Sequence, residues 1–406
     1  MNNLIGAIAL LGLTVPGFFL NSAFLKKERA GESLALSWLT GSVVFTLILY
    51  AINTYLGVPL NHQSSAIAFV ILSLASFIIA RKNIGFPKID FKYNKLSLII
   101  PIIIAVLMFI TSFFYPVADW DAITLYDFRA RILVNEGFLT GKITEMMYGG
   151  YPMYTSLLHF WAYITGLSSP MPIYPLFTIS LFAGVYFASK RIFNKNTSLL
   201  VAVACVFAPR IFENSFIAYT NLPYTVFIVL GALYIYLFVR NRNWKSLIAG
   251  VFLTTATFWV RSFPFALINF ALIFLAIPYI KRYSKYLAVG SMLLLITSYF
   301  LPLTREVADY LKWAVFEHYS PYWMIFVGIF TYKLIRNSKD WFWALAYLGY
   351  GLGLLVGTYI FENRFPGFSM SYNDAARRMT IFFNPIVILM AITILSSKEK
   401  QNEKTI

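Results

Sequence analysis

Residues 115–136 read YPVADWDAITLYDFRARILVNE. The stretch follows directly on an apolar run and carries Asp119, Asp121 and Asp127 within nine residues. It then continues at helical spacing, with Leu125, Phe128 and Ile132 expected on one side and Asp127 and Arg131 on another. A hydrophobic helix that ends in an acidic, aromatic loop predicts a membrane-embedded frame with its polar chemistry at the rim.

The rest of the chain agrees. Its 406 residues are 59% apolar and only 12% charged, with a mean hydropathy of +0.69, far from the composition of soluble domains. A crossing helix needs about 20 apolar residues. Spans are expected near 4–25, 34–56, 65–80, 96–115, 172–190, 197–210, 222–240, 246–261, 263–280, 286–303, 321–335, 341–361 and 379–396. The fold class is therefore an all-α polytopic membrane protein with about thirteen transmembrane helices and amphipathic juxtamembrane helices in the first large outer loop.

The net charge of +16 would suggest nucleic acid in a soluble protein. Here it sorts by side. Residues 151–167 (YPMYTSLLHFWAYITGL) are short and aromatic, and they are expected to be interfacial or re-entrant on the outer face rather than a crossing. With the N-terminus outside and the C-terminus inside, cytoplasmic segments carry 23 Lys and Arg against 6 acids, and outer segments 10 against 11. The positive charge is orientation, and no nucleic-acid partner is implied. Retention of the first apolar run, which lacks a basic leader before it, points to an integral plasma membrane protein.

With these sides assigned, the opening loop faces outward. A carboxylate just outside the bilayer, Asp119 or Asp121, can take a proton from a nucleophile or, as a pair, help hold a divalent cation; either can also simply cap the following helix. For Asp127 an ordinary i, i+4 ion pair with Arg131 is the competing account. Arg210, Arg261, Arg305, Arg364, Arg377 and Arg378 stand where spans meet the outside, against Lys142 and Lys312 alone. A planar guanidinium suits phosphate, although single arginines also snorkel to headgroups. Arg261 lies in WVRSFPF with scarcely any loop between two spans, a costly place for a charge that does not face a polar cavity.

Other chemistries are excluded by type and spacing. His62, His159 and His318 are far apart, no P-loop, GxGxxG or HExxH occurs, and Cys205 is the sole cysteine. No cofactor is called for beyond a divalent cation, whose ligands would be Asp119 and Asp121.

WDAITLYDFRARIL followed by YPMYTSLLHFW, then APRIFENSFIAYTNLPYTVF, AGVFLTTATFWVRSFPFALI and DAARRMTIFFNPIVIL, resemble successive segments of polytopic GT-C glycosyltransferases, the group of protein O-mannosyltransferases and the lipid A aminoarabinose transferase. The resemblance spans roughly residues 96–396. It implies transfer of a sugar from a polyprenyl-phosphate carrier to a lipid, glycan or protein acceptor on the extracytoplasmic side, with inversion. It further implies Asp121 (or Asp119) as the loop base and Arg261 and Arg378 at the donor phosphate; beside these, Arg377 is expected at the phosphate and Asp127, Tyr151, His159, Arg210, Asn221 and Arg364 around the substrates. The group's adjacent acidic pair is here split by Trp120, and Asn221 stands where related chains can have Asp. Residues 1–93 would be additional N-terminal helices, 94–396 the catalytic core and 397–406 a cytoplasmic tail. The alternatives are a transporter or flippase of lipid-linked sugars, which would show inverted repeats and broken helices at the midplane, and a ligase or polymerase using a diphosphate-linked glycan.

Overall fold

The computed structural model describes residues 2–25, 29–85, 95–139, 151–208, 210–261 and 265–275, together with short helical pieces between 342 and 393. Among the described residues every regular element is a helix and none is a strand. This is the only backbone solution, short of a closed barrel, that satisfies its hydrogen bonds in hydrocarbon. The expected spans near 286–303 and 321–335 lie outside the described residues.

The chain opens with α1 (Asn2–Gly12) and α2 (Thr14–Phe24), broken only at Leu13, then α3 (Ala30–Ala35), α4 (Ser37–Thr54), α5 (His62–Ala80) and α6 (Lys95–Ser112). A loop and a π-helical turn, Ala122–Asp127, lead into α7 (Phe128–Glu136). There follow α8 (Tyr154–Ile164), α9 (Ile173–Ser189), α10 (Lys195–Val206), α11 (Asn221–Asn241), α12 (Trp244–Val260) and α13 (Phe265–Leu275). Among the described residues, four helices are long and apolar enough to cross a bilayer: Asn3–Phe24, α4, α5 and α11. Shorter apolar helices cover Ile99–Ser112, α9, α10, α12 and Asn384–Thr393. By contrast, α8 has 11 residues, or about 16 Å of rise, half of what a crossing needs.

The chain divides into two compact units, Met1–Leu230 with Thr255–Ser262, and Gly231–Thr254 with Phe263–Ile406. In the first, α4 is the hub. A Cβ on Gly41 would stand 1.8 Å from the Leu13 carbonyl oxygen, and one on Gly17 1.8 Å from that of Ser37, so α2 and α4 touch backbone to backbone. Asn21 fastens this corner, donating to the Ser33 carbonyl (3.1 Å) and accepting from the Thr40 hydroxyl (2.9 Å). Along α4, Trp38 meets Phe177 edge to face at 4.7 Å, the Ser42 and Tyr154 hydroxyls hydrogen-bond at 2.9 Å, and Phe45 packs on Trp161. Helices before residue 93 thus pack directly on α8 and α9. In contrast, α5 and α6 expose Ile67, Ile71, Leu74, Ile99, Ile103 and Leu107, the signature of a lipid-facing wall. In the second unit, Gly231 and Gly250 let α11 and α12 approach closely, and Asn269 bridges the Thr254 and Tyr350 hydroxyls.

Candidate active site

After Ser112 the chain unwinds. The amides of Phe113, Phe114 and Tyr115 keep hydrogen bonds to the carbonyls three residues back, and residues 115–118 have no regular structure, because Pro116 disfavours the α region for Tyr115 before it. Helix resumes at Trp120, the Asp119 carbonyl accepting the Ile123 amide at 2.9 Å. The next turn, Ala122–Asp127, is π-helical, which inserts extra backbone and rotates everything downstream.

That rotation corrects the expected face. Leu125 is buried, but Phe128 is 42% exposed, while Asp127 and Arg129 point inward with Ala130 and Leu133. A 3.6-residue period cannot anticipate this shift. Arg129 is completely buried, and its Nη1 donates to the Tyr151 carbonyl at 3.0 Å, tying α7 to the chain entering α8.

Asp127 is the centre of one cluster. Its Oδ2 accepts Arg131 Nε at 2.7 Å, as the ion-pair reading expects, and its Oδ1 accepts the Tyr163 hydroxyl. Arg131 Nη2 also donates to the Tyr163 hydroxyl at 3.1 Å. His159 Nδ1 lies 3.6 Å from Oδ1, and His159 Nε2 is 2.7 Å from the Tyr174 hydroxyl. Burial alone would raise the Asp127 carboxyl; the neighbouring imidazole, the Tyr163 hydroxyl and the Arg131 guanidinium outweigh it and hold the group at about 2. Burial pushes the His159 imidazole down. Asp127 and His159 sit inside the protein, with both Asp127 oxygens engaged.

A second cluster forms around Tyr126, itself buried, whose hydroxyl hydrogen-bonds Thr220 at 3.0 Å. Burial raises this phenol, and the charges of Arg261 (lowering) and Asp121 (raising) both reach it. The Tyr151 ring lies 6.2 Å from the Tyr126 ring, and the Arg261 guanidinium carbon lies 5.9 Å from the Tyr151 ring centroid. Arg261 Nη1 donates to Asn221 Oδ1 at 2.6 Å. Tyr151, Asn221 and Arg261 are thereby linked to one another and to Tyr126, five residues beyond Asp121 in the same loop. Asp121 is exposed and Asp119 half-buried beside Trp120, itself 74% exposed.

Arg210 stands apart from these contacts. Its backbone is left-handed (φ 70°), and its carbonyl accepts both the backbone and side-chain amides of Asn214. Among the described residues its guanidinium has no hydrogen-bond or ion-pair partner. The same segment returns to the loop through Phe216, whose ring lies 4.8 Å from that of Tyr115. Arg364, Arg377 and Arg378 lie outside the described residues. Among the described residues no three His, Cys, Asp or Glu side chains gather as a metal site.

Sequence reasoning passed over Tyr126, Arg129, Tyr163 and Thr220. The available signal was a tyrosine and an arginine in the very loop that carries the acids.

Residues 152–302 match the family model described as dolichyl-phosphate-mannose-protein mannosyltransferase. The match supports a membrane glycosyltransferase of the GT-C superfamily, as the sequence resemblance implied. It covers a little over a third of the chain and begins just after the acidic loop. No curated protein and no solved structure matches the chain.

Proposed function

We propose that the protein transfers one sugar from a polyprenyl-phosphate carrier to an extracytoplasmic acceptor, with inversion. Mannose, the sugar named by the matching family, is the first donor to test. The observation that carries this reading is a costly rim cation, Arg261, held by Asn221 at 2.6 Å and lying 5.9 Å from the ring of Tyr151, which in turn meets Tyr126 of the loop that carries the solvent-reaching Asp121.

In this scheme Asp121 accepts the proton of the acceptor hydroxyl. The acceptor oxygen bonds the anomeric carbon from the face opposite the carrier. The bond from that carbon to the phosphate oxygen breaks, its electron pair leaving with polyprenyl phosphate. Arg261, with Arg377 and Arg378, offsets the charge that develops there, and Asn221 and the Tyr151 ring hold the Arg261 guanidinium in place. Asp119 is the competitor for the base role; were a divalent cation bound, Asp119 and Asp121 would be the residues to hold it, and it would supply charge stabilisation. Arg210 and Arg364 are left to the acceptor or to headgroups.

Asp121→Asn is the test. It is expected to fold and insert normally and to lose roughly 10²–10⁴-fold in turnover, the range of a positioned general base, in a detergent assay with polyprenyl-phosphate mannose. Turnover close to wild type would remove Asp121 from the mechanism, and the same loss in Asp119→Asn alone would transfer the role.

A further inference from the structure

The end of α12 is held by a helix that lies outside both the sequence resemblance and the matching family segment. Thr255–Ser262 belongs to the first unit. Within that last turn, Trp259 Nε1 donates to Thr46 Oγ1 of α4 at 3.0 Å, 213 residues away in sequence. The Thr46 hydroxyl proton is already directed at the Ser42 and Val43 carbonyls, at 2.8 and 3.0 Å, which leaves its oxygen facing the indole as an acceptor. Tyr50, one turn further along α4, meets the Trp259 ring at 5.1 Å and 69°. Two residues beyond Trp259 stands Arg261, whose amide caps the helix on the Thr257 carbonyl at 2.8 Å and whose guanidinium reaches Asn221.

We infer that Thr46 and Trp259 are positioning residues for Arg261, so that the N-terminal helices are part of the donor-binding apparatus rather than an appendage. The physical argument is one of leverage. Arg261 must project a charge to one point from a helix terminus, and a terminus frays unless tied. The Asn221 contact fixes only the far end of its side chain. The backbone end is fixed by a hydrogen bond and an edge-to-face ring contact to α4. α4 is itself clamped to the other side of the site: Asn53 donates to the Gly137 carbonyl (3.0 Å) and accepts the Leu139 amide (2.8 Å) just beyond α7, and Ser42 bonds Tyr154. One helix thus sets the distance between the acidic loop and Arg261.

This rests on the reading of Arg261 as a phosphate ligand, and the experiment separates the two. Binding of polyprenyl phosphate to the purified full-length protein is measured for wild type, Thr46→Val, Thr46→Ser, Trp259→Phe, the Thr46→Val/Trp259→Phe double variant and Arg261→Gln. Trp38→Phe serves as control: it removes another α4 indole hydrogen bond, to the Leu10 carbonyl, about two turns before Thr46. Val keeps the shape of Thr46 and removes the acceptor; Ser restores it. Thr46→Val and Trp259→Phe are each expected to weaken binding about fivefold. The double variant should be no worse than either single one, since both delete one bond. Thr46→Ser and Trp38→Phe should bind like wild type. Wild-type binding by Thr46→Val and Trp259→Phe, beside a weakened Arg261→Gln, overturns the positioning role alone. Wild-type binding by Arg261→Gln overturns the phosphate reading beneath it. Equal weakening in Trp38→Phe assigns the effect to general loosening and also overturns the inference, and if Thr46→Val does not fold, Trp259→Phe against the same control decides.

Discussion

Asp127 and Asp121 are six residues apart in one loop and have opposite environments. Asp127 is enclosed by Arg131, Tyr163 and His159, an arrangement suited to holding a charge still, whereas Asp121 reaches solvent, where a substrate hydroxyl can arrive. Asp127→Asn keeps the shape and removes the charge. At pH 5–7 it is expected to lower stability by on the order of 2 kcal/mol, read from unfolding midpoints in detergent. The carboxyl lies at about 2 in the folded chain against an ordinary 3.8. Because the folded value is the lower one, the contribution is complete above 3.8 and is lost as pH falls through 2. The gap between wild type and variant should therefore stay constant down to about pH 5 and close between about 4 and 2. A gap that closes near pH 6 would assign it to His159 instead.

At the scale of elements, what the sequence disclosed was what local rules control. Long apolar runs located Asn3–Phe24, α4, α5 and α11, and the brevity of 151–167 matched a helix of 11 residues. The cost of a rim charge singled out Arg261 without any knowledge of its partners. Two things were not legible. The π-turn at Ala122–Asp127 breaks the period on which face assignment depends, so Phe128 came out exposed and Arg129 buried. Pairings such as Thr46 with Trp259, or Ser42 with Tyr154, join positions more than a hundred residues apart, and no window of sequence encodes them. The same limit hid the Tyr126–Thr220 bond that brings the acidic loop to the chain before α11.

At the scale of the molecule, the claims that matter are which side the loop faces and what happens to the donor. From the charge inventory we propose that the N-terminus lies outside and the tail inside. Cysteines introduced singly at Asn3 and Lys404 test this, since Cys205 is buried and slow to react. An impermeant maleimide should label Asn3→Cys in intact cells and Lys404→Cys only after permeabilisation; the reverse pattern would put the acidic loop in the cytoplasm and remove it from an extracytoplasmic reaction.

The central claim is that the carrier–sugar bond is broken by this chain. Purified protein in detergent, given polyprenyl-phosphate mannose and a hydroxyl acceptor, is predicted to release polyprenyl phosphate in step with a product of inverted anomeric configuration. A donor recovered intact while sugar-lipid crosses the bilayer of reconstituted vesicles would contradict the account and identify a transporter.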